Sequence, residues 1–117
     1  RDDVYPRRFR LVLHVARAGR PEATVRRVVR GEHNALEVNT TEQFPSDQAE
    51  DRCIKVGNEW MYVNTSATGR ATVRRRIRRS GSRDAAHRVG TPVFVGRVFR
   101  KTLALPAARS WWSTEER

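Results

Sequence analysis

Apolar and polar residues alternate along much of this chain, and alternation with period two is the signature of a half-buried strand. Phe9, Leu11, Leu13 and Val15 fall on one side of residues 8–15, opposite Arg8, Arg10, Val12 and His14. Ala18-Gly19-Arg20-Pro21 interrupts the pattern. Val25, Val28 and Val29 then recur at i, i+3 and i+4 behind Pro21 and Glu22, with Gly31 as a stop, which predicts a short helix over residues 21–30. A brief alternating strand is expected at 35–40 (Leu36, Val38, Thr40), followed by an acidic, polar loop over 41–52 with one helical turn from Ser46. Cys53-Ile54-Lys55-Val56, Gly57-Asn58 and Trp60-Met61-Tyr62-Val63 together read as a hairpin.

The densest charge falls inside the same kind of pattern. Residues 70–79 read Arg-Ala-Thr-Val-Arg-Arg-Arg-Ile-Arg-Arg. As one strand they place Arg74, Arg76 and Arg78 on a nearly pure guanidinium face. Residues 80–90 form a flexible basic loop in this reading. A long strand then runs from Val93 to Leu105, bent at Gly96 and ended by Pro106. The expected fold class is α+β and β-rich: a small single domain, 1–117, of about five mostly antiparallel strands and one short helix. An extended N-terminal arm (1–7) and a C-terminal tail (107–117) flank it. Phe9, Leu11, Leu13, Ile54, Val56, Trp60, Tyr62, Val93, Val95, Phe99 and Leu103 are the expected core. One run occurs twice, Ala23-Thr24-Val25-Arg26-Arg27 and Ala71-Thr72-Val73-Arg74-Arg75, but the flanking residues do not repeat and no duplication is inferred.

Charge adds direction to this outline. The 117 residues carry 24 Lys and Arg against 13 Asp and Glu, a net +11. Residues 1–30 hold nine Arg against three acids, and residues 70–100 hold ten Arg against Asp84. Between them, residues 31–69 hold Arg52 and Lys55 against seven acids. Such segregation gives a molecule oriented faces and an anionic partner. Only Lys55 and Lys101 are lysines, and arginine's planar fork suits phosphate better than lysine's point charge.

Other chemistries find little support. One cysteine, Cys53, provides neither a disulfide nor a cysteine zinc site, and His14, His33 and His87 have no ligand spacing. No phosphate loop or dinucleotide fingerprint occurs. No apolar run approaches the roughly 20 residues of a membrane-spanning helix. No catalytic residues, metal, cofactor or small-molecule substrate are expected.

The candidate anion-binding residues are Arg74, Arg76, Arg78, Arg79 and Arg83, with Arg7, Arg8 and Arg10 second. Trp111 and Trp112 are candidate partner-docking anchors. The expected function is that of a non-catalytic structural subunit of a large ribonucleoprotein. An organellar (mitochondrial) ribosomal protein bound to rRNA phosphates and to neighbouring proteins is the first reading. The alternative is a peripheral accessory subunit of a mitochondrial respiratory or other inner-membrane complex, its arginines on acidic subunits or anionic lipid. A basic viral coat fragment ranks third and an enzyme last.

Overall fold

The computed structural model describes residues 7–17, 19–81 and 86–105. Arg83, Trp111, Trp112, most of the N-terminal arm and the C-terminal tail lie outside the described residues. Backbone packing divides the chain into a unit spanning His14–Val98 and a second unit made of the flanking segments. Among the described residues seven strands are present: β1 (Arg7–Ala16), β2 (Ala23–Thr24), β3 (Ala35–Glu37), β4 (Arg52–Val56), β5 (Glu59–Ala67), β6 (Arg70–Arg74) and β7 (Pro92–Leu105). Helix among the described residues is limited to a single 3-10 turn, Ile77–Arg79. The fold is therefore β-rich as expected, without the helical half of the α+β reading.

Within the His14–Val98 unit the strands close into a ring. The sheet order runs β7-β4-β5-β6-β3, and β2 pairs with β7. The last gap is bridged where Val25 pairs antiparallel with Val38. The Arg26 N–H donates to the Glu37 carbonyl at 2.8 Å and the Asn39 N–H to the Thr24 carbonyl at 3.1 Å across it. The six strands form a ring around a side-chain-filled centre, and β1 stands at the end of the same seven-stranded sheet as a neighbour of β7.

Alternation explains that centre. Ala23 and Val25, Leu36 and Val38, Ile54 and Val56, Met61 and Val63, Ala71 and Val73, and Val93 all point inward and are buried. Phe44, from the loop before β4, packs against them. Ile54, Val56 and Val93 were expected there. Trp60 and Tyr62 were not placed correctly: β5 turns Met61 and Val63 inward, so the two rings sit half-buried on the outer face. The repeated Ala-Thr-Val-Arg-Arg runs flank β3 on its two sides, and each contributes its alanine and valine to the core.

The expected helix over 21–30 is replaced by strand pairing. Val25 N–H donates to the Thr91 carbonyl at 2.9 Å and Val29 N–H to the His87 carbonyl at 3.0 Å, so these amides are committed to other strands. Three β-branched valines favour this outcome. Glu22, read as a favourable charge at a helix start, instead accepts the Val95 N–H at 2.8 Å.

The expected strand over 70–79 also stops early. It ends at Arg74; Arg76 (φ 49°), just before the 3-10 turn, and Arg79 (φ 59°), its last residue, take left-handed conformations. Arg74, Arg76 and Arg78 therefore do not share a pleated face. Gly96 serves close approach: a Cβ there would lie 2.5 Å from the Val15 carbonyl oxygen and 3.2 Å from Cys53 Sγ. The Val15 backbone of β1 thus lies directly against β7 at Gly96, a position that also borders Cys53.

The flanking unit contrasts with this core. Phe9, Leu11, Leu13, Phe99 and Leu103, all expected to be core, are exposed, with Leu11 and Leu13 each at 53%.

Candidate nucleic-acid interface

Six strands in antiparallel order give the barrel two ends of different character. At one end lie the β4–β5 turn, the close of β6 and the start of β3 and β7. Here β5 opens on Glu59, whose parity matches Met61 and Val63 and which is 0% exposed. A bare carboxylate in that position would cost several kcal/mol. Arg75 grips it with both prongs, Nε to Oε2 at 2.7 Å and Nη2 to Oε1 at 2.9 Å. His87 Nε2 lies 2.8 Å from Oε1, and because an ionised carboxylate only accepts, the imidazole donates. The Arg76 backbone N–H supplies a fourth bond at 2.8 Å to Oε2. The left-handed turn at Arg76 is what delivers that N–H, so its strain of about 1–2 kcal/mol has a local return.

Burial by itself pushes the Glu59 carboxyl up; the Arg75 and His87 side-chain bonds, the Arg76 N–H and the Arg75 charge outweigh it and hold the pKa below 4.5. The ion pair is nearly dry, with the Arg75 side chain 3% exposed.

This node organises the arginines around it. Arg75 Nη1 donates to the carbonyls of Arg30 and His33, each at 2.7 Å, and Arg76 Nη1 to that of Gly31 at 2.8 Å. His87 pairs through its backbone with Val29, which sets Arg88 beside the same loop. Arg30, Arg79 and Arg88 are exposed, and the half-buried Arg76 joins them. Glu32, 3.9 Å from His33, is an exposed acid of the same loop. An open cleft of about 550 Å³ runs beside it, lined by residues that include Val29, His33, Asn34 and Glu37.

The opposite end carries the β3–β4 loop. Glu42, Asp47, Glu50 and Asp51 are exposed there, and residues 39–51 contain no Lys or Arg. It is fastened by ordinary hydrogen bonds: Ser66 N–H to Asp47 Oδ1 at 3.0 Å, Thr41 Oγ1 to the Ala67 carbonyl at 2.8 Å and Val98 N–H to the Asp51 carbonyl at 2.9 Å.

The arginines named from sequence separate into different roles. Arg74 is exposed on the outer face of β6, opposite Tyr62. Arg76 belongs to the node and Arg79 to its rim. Arg78 lies in the 3-10 turn, and Arg83 falls outside the described residues. Arg7, Arg8 and Arg10 are on β1, in the flanking unit, with Arg8 and Arg10 exposed. Glu59, Arg75 and His87 were missed. The available signal was an acid at the head of a hairpin strand, two residues before Met61; assigning Trp60 and Tyr62 to the core put Glu59 on the wrong face.

No family model, curated protein or solved structure matches this chain. Among the described residues, no helix is long and apolar enough to cross a membrane.

Proposed function

We propose that this chain is a non-catalytic RNA-binding subunit of a large ribonucleoprotein, and that it meets phosphates with the arginine-rich end of its barrel. The observation carrying this reading is that the loops and turn bearing Arg30, Arg76, Arg79 and Arg88 are tied together by their backbones around the Glu59 node, a carboxylate already neutralised from within. The one acid at the centre of the cluster is fully paired, so the exposed guanidinium groups keep their charge for an external anion. Phosphates suit that arrangement, because arginine forks bind them bidentately and the affinity is insensitive to sequence. The acidic loop at the other end favours a single orientation on a polyanion. A mitochondrial ribosome is the proposed assembly on arginine-rich composition alone.

The test has a coarse and a fine arm. A native particle containing the chain is treated with ribonuclease. Loss of the chain from the particle supports the proposal; an intact, RNA-free particle refutes it and favours acidic subunits or anionic lipid. In the fine arm, the slope of log affinity for RNA against log salt is measured. Arg30→Gln, Arg79→Gln and Arg88→Gln together should flatten it by about 2–3 units, at roughly 0.7–0.9 per lost phosphate contact. Glu42→Gln with Glu50→Gln, at the other end, should leave the slope unchanged.

A further inference from the structure

Each end of the barrel places one ionic side chain on the inward parity of a strand, and only one of the two is paired. At the basic end Glu59 is met by Arg75, His87 and the Arg76 N–H. At the other end Arg52 opens β4 in step with Ile54 and Val56, which are both buried. Its cross-strand partner is Arg97, in step with Val93 and Val95 on β7. Arg52 is half-buried, and its Nε is buried with no hydrogen-bond partner. The ion pairs among the described residues include neither Arg52 nor Arg97. Two costs therefore meet at one place. A buried N–H of a charged group has lost its water without replacement, and like charges directly opposite on paired strands repel.

We infer that Arg52 and Arg97 together bind a carboxylate group. One oxyanion answers both costs: it accepts from Nε and one Nη of the Arg52 fork, and it sets a negative charge between the two guanidinium groups. Arg97 is exposed, so its long side chain is able to turn and admit the ligand. The neighbouring charges select a carboxylate over a phosphate. Glu42, Asp47, Glu50 and Asp51 are exposed in the adjoining loop, and residues 39–51 hold no Lys or Arg. Those acids repel a dianion or a nucleic-acid backbone more than a single charge, and a carboxylate brings one charge on two coplanar oxygens. The site lies at the opposite end from the arginines assigned to RNA and does not rest on that reading.

The test titrates the full chain with acetate, with a short peptide whose one charge is a glutamate, and with inorganic phosphate, all at constant ionic strength in chloride. Two readouts are followed: the urea midpoint and the Arg52 Nε–H resonance, assigned by its loss in Arg52→Lys. Acetate should shift both to saturation. A peptide bound more tightly than acetate marks a protein-borne carboxylate, and equal affinity a free acid. Arg52→Lys, which keeps the charge without the fork, should weaken acetate binding roughly tenfold, and Arg97→Gln roughly fivefold. Arg52→Met keeps the stem without the orphaned N–H and guards against misfolding. Its urea midpoint without acetate should equal or exceed that of the native chain and should not respond to acetate. Glu50→Gln with Asp51→Asn should tighten acetate binding. Tighter binding of phosphate than of acetate overturns the ligand class. An acetate response no larger than that to chloride, or one that survives in Arg52→Met, overturns the site. A fall in the Arg52→Met midpoint matched by Glu50→Gln with Asp51→Asn makes those acids internal partners of Arg52 and overturns it as well.

Discussion

The two ends of the barrel are closed by different means. One is held by a buried carboxylate with four charge-assisted bonds, drawn from Arg75, His87 and the Arg76 backbone. The other is held by exposed hydroxyl, carboxylate and backbone bonds around an acidic loop. Both ends satisfy the same requirement: loops must be tied to a ring of short strands. Only the first does so with charge hidden from water. The consequence is electrostatic. Pairing Glu59 internally removes it from the competition for the surrounding arginines, while the acids at the other end stay in solvent. The contrast sets a carboxylate neutralised from within at one end against an acidic loop in solvent at the other.

The largest effect expected is at the node. Glu59→Ala leaves Arg75 buried without its carboxylate, and should lower stability by about 3–5 kcal/mol, read as a fall in the urea midpoint. Asp47→Ala, its counterpart at the other end, removes one exposed hydrogen bond and should cost about 1 kcal/mol or less. Equal losses from the two variants would abolish the distinction drawn between the ends.

Acid should sharpen it. Because the folded Glu59 pKa lies below its ordinary 4.5, its contribution to stability is complete above that value and is lost as pH falls through the folded pKa. The stability gap between the native chain and Glu59→Gln should therefore be constant near neutrality and narrow below about pH 4.5. Urea titrations at pH 7, 5 and 3 measure it; a gap that widens toward acid contradicts the pairing.

A smaller effect separates folding from binding at the rim. Arg79 is left-handed at φ 59°, where glycine is unstrained. Arg79→Gly should leave stability unchanged or raise it by about 1 kcal/mol, and reduce the RNA salt slope by about one unit. A destabilised variant with an unchanged slope would make Arg79 a structural residue.

Legibility from sequence followed the range of the interactions. The hairpin of β4 and β5 and the long β7 were readable because alternation and a Gly57-Asn58 turn are local signals. The residues of β2 read as a helix because three valines also fit period 3.6; their partners, Thr91 and His87, lie more than fifty positions away. The arginine run read as a strand because nothing local announces that Arg75 must turn to meet Glu59. The density of arginine along the chain was legible, and the buried carboxylate around which Arg75 and Arg76 turn was not.

Sequence alone determined that this protein would be a basic, β-rich chain with an acidic middle, because composition and period-two alternation are properties of the chain itself. Tertiary structure decided which face of each strand is buried. Alternation offers two faces, and only ring closure selects one: it sent Met61 and Val63 inward and Trp60 and Tyr62 outward. Leu11 and Leu13, with an equally regular pattern, remained exposed. The same closure placed Glu59 in the interior, where a lone charge is too costly. That cost recruited Arg75 and His87 and, with them, the arginines proposed to meet RNA.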